Sequence, residues 1–150
     1  MSQHTTRNVD EVWRPRLTGP ADGLAWWAEH YFRLAVTTTP ASQQVQHRDL
    51  ALFLRYMRGE EGSDLRMAWT PRLSRAFHHH LQHTLDEEGH RHWRDATIIR
   101  ILAHLKTFAS WIHPLRPFPL GHPMAHIKLP ALGSSLQVER ALPWPSGAGS

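Results

Sequence analysis

Residues 94–113, RDATIIRILAHLKTFASWIH, carry apolar side chains at the three- and four-residue spacing of one helical face. Asp95 stands where an N-cap is expected, and His113-Pro114 is expected to end the helix, because proline disfavours helical geometry in the residue before it. A helix with such a face is stable only when other elements cover the face, so we expect it in the core. The predicted buried stripe comprises Ile98, Ile101, Leu102, Leu105, Phe108 and Ile112.

Three further segments show the same period. The first follows TGPADG, and the other two each begin with a threonine cap followed by proline, at 39–40 and at 70–71. We expect the second helix to stop at Gly59 and the third near Gly89. The predicted core residues are Leu24, Trp27, Ala28, Tyr31 and Ala35 in the first helix, Leu50, Phe53, Leu54 and Met57 in the second, and Leu73, Phe77, Leu81 and Leu85 in the third.

The sequence predicts one domain with a tail at each end. Strand-like alternation persists nowhere, and seven of the 11 prolines lie from Pro114 onward, where the helical period is lost. We therefore predict an all-α fold, a small four-helix bundle with an irregular Pro-rich C-terminal tail. Residues 1–20 are expected to form a flexible N-terminal segment, 21–113 the helical domain, and 114–150 a linker or tail.

The charge balance is basic and uneven. Lysine and arginine outnumber aspartate and glutamate 17 to 13, and there are 13 histidines. Residues 1–69 carry eight basic and eight acidic side chains, whereas residues 70–150 carry nine basic and five acidic side chains. Ten of the 13 histidines also lie in residues 70–150. A polyanion is therefore the natural class of partner.

The composition argues against several classes of function. Cysteine is absent, which excludes disulfides, thiolate nucleophiles and cysteine-containing zinc sites and makes a reducing cytoplasm the expected location. No apolar run approaches the roughly 20 residues of a membrane span, and the N-terminus lacks the apolar segment of a signal peptide. No GxSxG elbow, glycine-rich phosphate loop or paired carboxylates appear. We expect a soluble cytoplasmic protein without catalytic residues, cofactor, metal or membrane partner.

The histidine-rich segment FHHHLQHTLDEEGHRH raises a metal hypothesis. His79, His83 and Glu87 are spaced by four, so a helix that includes all three projects them from one face, and two histidines with one carboxylate can bind zinc. The glutamate of an HExxH motif is missing, because residues 80–82 are His, Leu and Gln. The alternative is a solvated, partly protonated polar face.

Two of the predicted helices also carry a polar stripe without carboxylates. The stripes consist of Arg72, Arg75, His79 and Gln82 on the third helix and Thr97, Arg100, His104 and Thr107 on the fourth. A solvated face usually mixes charges of both signs, whereas arginine can bind phosphates or guanine edges and threonine and glutamine can donate or accept hydrogen bonds in a DNA groove. By charge alone, a DNA-binding face and an ordinary solvated face both remain open.

Several segments resemble one known family. ATIIRILAHLKTFASWI is similar to the last helix of the N-terminal core-binding (SAM-like) domain of tyrosine recombinases, the phage integrase family, and SQQVQHRDLALFLRYM is similar to an earlier helix of that domain. WTPRLSRAFHHHL resembles the helix between them, and HPMAHIKLPAL resembles the segment that leads to the catalytic domain. The likeness spans about residues 22–132. The matching positions are Ser42, Asp49, Leu50, Phe53, Leu54, Thr97, Ile98, Arg100, Leu102, Leu105, Lys106, Phe108, Trp111 and Ile112.

The resemblance implies a SAM-like helical domain that clamps one side of double-stranded DNA in recombination or integration, together with further recombinase protomers. The family's catalytic domain, with its nucleophilic tyrosine, would follow residue 140, and the chain stops at Ser150. We therefore expect a DNA-binding module that does not cleave DNA, with no catalytic residues of its own. The expected DNA contacts are Arg72, Arg75, His79, Thr97, Arg100, His104 and Lys106.

Two other hypotheses remain from the sequence. The aromatic residues Trp26, Trp27 and Tyr31 of the first helix could dock a partner or a second copy, which would make the chain a protein-interaction or dimerisation module. The histidine set described above could hold zinc.

Overall fold

Four helices form a bundle in the computed structural model, which describes residues 20–129. Helix α1 spans Leu24–Leu34, α2 Pro40–Glu61, α3 Pro71–His83 and α4 Asp95–Leu115, and a short 3-10 helix, Arg66–Ala68, lies between α2 and α3. Helix α4 contacts each of the other three. Residues 20–129 contain two isolated β-bridges and no strand. The predicted all-α four-helix bundle is confirmed.

The predicted helical stripes form most of the core. All six apolar residues of the α4 stripe are at most 3% exposed, and the four of α2 are buried to the same degree. In α3, Leu73, Phe77 and Leu81 are buried, but Leu85 is 58% exposed, so its assignment to the core is wrong. Leu85 lies beyond the end of α3, where the helical period no longer points it inward.

Both Thr-Pro dipeptides begin helices as predicted. The hydroxyl oxygen of Thr39 accepts a hydrogen bond from the Ser42 N–H at 3.2 Å, and Pro40 is the first residue of α2. Thr70 accepts from the Leu73 N–H at 3.2 Å in the same way, ahead of α3. Each cap satisfies one of the amides that a helix start leaves without a partner.

The ends of α2 and α3 differ from the prediction. Helix α2 continues through Gly59 to Glu61 and is closed by Gly62, whose φ of 69° is left-handed. An interior glycine costs a helix only about 1 kcal/mol, so packing of the rest of α2 overrides it. Helix α3 ends at His83 rather than near Gly89. There the Asp86 carboxylate accepts backbone N–H bonds from residues 88 and 90, both at 2.9 Å, and forms a turn instead of a further helical turn.

Helix α4 also differs from the prediction at both ends. Arg94 rather than Asp95 occupies the N-cap position, and the helix runs through Pro114 to Leu115. A proline in the last turn removes only one intrahelical hydrogen bond, so it does not end the helix where the sequence rule places the end.

The segment after α4 packs against the bundle. Phe118, Met124 and Ile127 are buried in the same core as the helices. His113 in α4 fixes the start of this segment, because its Nδ1 accepts a hydrogen bond from the Phe118 N–H at 3.1 Å. The description of residues from 114 onward as a linker or tail is therefore wrong for residues 118–127. Of the predicted terminal segments 1–20 and 114–150, residues 1–19 and 130–150 lie outside the described residues.

Candidate functional site

A buried carboxylate links α2 to α4. The Asp49 side chain on α2 is 5% exposed, and it accepts hydrogen bonds from Arg100 Nε at 3.0 Å and Arg100 Nη2 at 2.9 Å. His104, one turn further along α4, places Nδ1 2.7 Å from the other side of the same carboxylate. A carboxylate only accepts hydrogen bonds, so His104 donates from Nδ1. The Arg100 side chain remains 45% exposed.

This arrangement sets the ionisation of Asp49. Burial acts to raise the pKa of Asp49, but the hydrogen bonds from His104 and Arg100, together with their charges, outweigh burial and hold the pKa below the usual 3.8. The Asp49 hydrogen bond in turn raises the pKa of Arg100. The guanidinium is therefore held as a charged group in one orientation.

The lowered pKa predicts how stability depends on pH. A carboxyl group whose pKa is lower in the folded state stabilises the fold above its unfolded pKa and loses that contribution as the pH falls through the folded value. We expect the wild-type protein to be more stable than Asp49→Asn at pH 7, and the difference to shrink below about pH 4. Urea denaturation of both proteins at pH 7 and pH 3 measures it. A difference that stays constant across this range would contradict the assignment.

The polar edge of α4 is thus not free of carboxylates in the folded protein. The sequence-based description is wrong because Asp49 comes from a different helix, 51 residues earlier than Arg100. Arg100 nevertheless keeps hydrogen-bonding capacity, because Asp49 uses its Nε and Nη2 edge and, among residues 20–129, Nη1 has no partner.

Arg100 lines an open groove of about 680 Å³. The groove lies between α2, the end of α3 and the first half of α4. Its size falls within the roughly 300–1,000 Å³ of ligand-binding clefts. The residues around it are Arg48, Asp49, Leu52, Arg55, Tyr56, Gly59, Glu60, His80, Thr84, His92, Trp93, Arg100 and Ile101.

Two arginines of α2 add free positive charge to this groove. Arg48 and Arg55 are exposed, and neither has an ion-pair partner within the described part of the chain. They are seven residues apart and therefore share one helical face. The acidic residues of the groove are Glu60 and Asp49, and the Asp49 charge is already compensated by Arg100. Arg48 and Arg55 were not among the predicted DNA contacts, although their seven-residue spacing is visible in the sequence.

Aromatic and histidine rings form a continuous row along the same groove. The Tyr56 ring lies 4.8 Å from His80, and His80 lies 6.0 Å from Trp93. His92 follows at 4.4 Å from Trp93. The groove thus combines guanidinium groups with flat ring systems.

The structure does not bring the two predicted stripes together in this groove. Arg72 and Arg75 are exposed and line a different, smaller pocket with Glu61 and Leu120. His79 is exposed in a third pocket, which shares Tyr56 and three other residues with the groove. Thr97 and Lys106 are half-buried on α4 and do not line the groove. Of the seven predicted contacts, Arg100 lines the groove, and His104 meets it only through Asp49.

The three-residue metal set predicted on α3 is not assembled. His79 and His83 stack at 3.9 Å between ring centres, but α3 ends at His83 and Glu87 lies in the following turn. The premise that all three residues project from one helical face is therefore wrong. Asp86, Glu88 and His90 approach one another on the surface of that turn.

The aromatic docking surface predicted on α1 is also wrong. Trp27 is 8% exposed and Tyr31 6%, and both rings pack against Trp111 of α4. Trp26 is half-buried against the same core. These rings belong to the packing of α1 on α4 rather than to a free surface.

Comparison of the chain with protein-family models, with curated proteins and with solved structures gives no match. Between residues 20 and 129, none of the helices combines the length and the apolar character that crossing a membrane would need.

Proposed function

We propose that this chain is a DNA-binding module of the tyrosine recombinase type, which holds double-stranded DNA during site-specific recombination or integration. In this proposal the module binds DNA and a separate catalytic domain cuts the strand. The observation that carries the proposal is that Arg48, Arg55 and Arg100 line one open groove. Arg48 and Arg55 have no ion-pair partner among residues 20–129, so their positive charge is available to an anionic ligand.

The spacing of the arginines suits an extended polyanion. Seven residues of helix separate Arg48 from Arg55, a rise of about 10 Å. Each strand of B-DNA carries one phosphate per about 3.4 Å of helix axis, so this distance covers about three successive phosphates. A single small anion would instead require the guanidinium groups to meet at one point.

Arg100 contributes an oriented hydrogen-bond donor to the groove, whereas Arg48 and Arg55 contribute positive charge. Asp49 compensates its charge but fixes its plane, so Arg100 contributes a pre-oriented hydrogen-bond donor in Nη1. A donor that is already ordered loses less conformational entropy when it binds a phosphate oxygen.

The same ion pair also bears on the family resemblance. Asp49 and Arg100 are charged matching positions in two separate segments that resemble the core-binding domain, and they contact each other in the fold. The ion pair gives an aspartate at position 49 and an arginine at position 100 one shared role, joining α2 to α4. This shared role supports the resemblance, because the two residues match the family pattern in separate segments. Arg72, Arg75, His79, Thr97 and Lys106 stay predicted DNA contacts outside the groove, and further protomers on the same DNA stay predicted partners.

Salt dependence of DNA binding tests the proposal. If about three phosphates are neutralised, the logarithm of the association constant should fall with the logarithm of salt concentration with a slope of about −2.7. Fluorescence anisotropy with a labelled mixed-sequence duplex, at several salt concentrations from about 50 to 200 mM, measures this slope. Absence of binding at the lowest salt, or an affinity that does not change with salt, would contradict the proposal.

A further inference from the structure

The groove has a second property that phosphate binding does not use, its row of rings. Tyr56, His80 and Trp93 follow one another at ring-centre distances of 4.8 and 6.0 Å and line the same groove as the arginines of α2. Aromatic side chains beside a cationic groove are the combination that binds unpaired nucleotides, because every base offers a flat face for stacking.

The shape of the groove favours the same ligand. Proteins read duplex DNA by inserting a protruding helix or strand into the grooves of the DNA. This site is a recess in the protein surface, and in a paired duplex the faces of the bases are covered by their neighbours. A base that has left the stack can enter such a recess while its phosphate stays at the rim.

Gly59 leaves the groove open. It lies in α2 one turn after Arg55, it lines the groove, and a Cβ atom added to it would meet no atom within 4 Å. A side chain at this position would therefore extend into free space in the groove without displacing the fold.

We propose that the groove binds an unpaired nucleotide of the DNA, with its base against the rings of Trp93 and His80 and successive phosphates of the same strand on Arg48 and Arg55. This inference rests on the proposed function and narrows it, because it adds a preference for DNA that contains an extruded or unpaired base. The phosphate contacts provide affinity for any DNA, and stacking provides the preference.

Three labelled duplexes of the same sequence test this inference. One is fully paired, one carries a single unpaired nucleotide, and one carries an abasic unit in place of that nucleotide, which keeps the bend and the phosphate but removes the base. By anisotropy at constant salt, we expect the duplex with the unpaired nucleotide to bind about tenfold more tightly than the paired duplex, because stacking of one base is worth about 1–3 kcal/mol. The abasic duplex should bind like the paired one.

Two variants at Gly59 provide the matched protein test. Gly59→Trp should fill the groove and abolish the preference for the unpaired nucleotide, whereas Gly59→Ala should retain it and slightly stabilise α2. Circular dichroism checks that both variants fold. Trp93→Ala is less suitable alone, because Trp93 also packs against the core.

The outcomes separate this inference from the proposed function. Equal binding of all three duplexes, equal binding of the abasic and nucleotide-bearing duplexes, or an unchanged preference in Gly59→Trp would overturn the inference and leave DNA binding intact. Failure to bind any of the duplexes would overturn both.

Discussion

Replacing Arg66 with alanine is expected to lower the free energy of unfolding by about 3–5 kcal/mol, the usual cost of removing one partner of a buried ion pair. The Arg66 side chain is 6% exposed. Its Nε donates to Asp22 Oδ1 at 2.8 Å, and its Nη1 donates to the Pro117 carbonyl at 2.6 Å. Its guanidinium also lies 5.9 Å from the centre of the Phe118 ring. One side chain thus joins the start of the bundle, the 3-10 helix and the segment after α4.

The alanine variant leaves Asp22 without its main partner. Burial acts to raise the pKa of Asp22, but hydrogen bonds from Arg66 and Trp27, with the charges of Arg66 and Arg116, lower it overall. Without Arg66 the carboxylate keeps the burial penalty and loses most of the compensation. The backbone pairing of the two segments, in which the Arg66 N–H donates to the Asp22 carbonyl at 2.8 Å, would be weakened as well.

Urea denaturation at pH 7 measures the loss, and Arg33→Ala provides the control. Arg33 pairs with Glu29 on the surface of α1 at 3.3 Å, and an exposed pair of this kind contributes at most about 1 kcal/mol. A loss for Arg66→Ala no larger than that for Arg33→Ala would show that the Arg66 contacts do not hold the three segments together.

The helices could be predicted because their signals are local. The α4 stripe repeats within 20 residues, and the Thr-Pro starts of α2 and α3 involve adjacent residues. The helix ends were less predictable, because glycine, proline and turn-forming residues compete with packing of the whole helix. At Gly59 inside α2 packing prevails, whereas Pro114 is tolerated inside α4 because it lies in the last turn.

The long-range contacts could not be predicted from patterns. Asp49 and Arg100 are 51 residues apart, and no periodicity within either helix indicates that they meet. The buried residues Phe118, Met124 and Ile127 follow neither a helical nor a strand period, so a core segment resembled a tail. Polar stripes indicate the exposed side of each helix, but the groove depends on how α2 and α4 pack together.

Reversing the two unpaired charges of the groove is expected to have the largest effect on DNA binding. In Arg48→Glu/Arg55→Glu two phosphate-binding groups become repulsive. Even at about 1 kcal/mol for each contact, the net value of an ordinary hydrogen bond, the dissociation constant for duplex DNA should rise by at least about 30-fold. Stability should change little, because both side chains are exposed and neither has an ion-pair partner in residues 20–129. Arg100 is a poorer choice, because removing it leaves the buried Asp49 carboxylate with only its hydrogen bond from His104.

The control must change the net charge equally without touching the groove. Arg33→Glu/Lys128→Glu meets this condition, because both residues are exposed and lie outside the groove. It separates the contribution of the groove from the general attraction between a basic protein and DNA.

The most direct measurement is the dissociation constant of wild type and both double variants for one duplex, by anisotropy at one salt concentration. The groove assignment predicts at least about a 30-fold loss for Arg48→Glu/Arg55→Glu and no more than about a threefold loss for the control. Equal losses in the two variants, or unchanged binding by Arg48→Glu/Arg55→Glu, would contradict it.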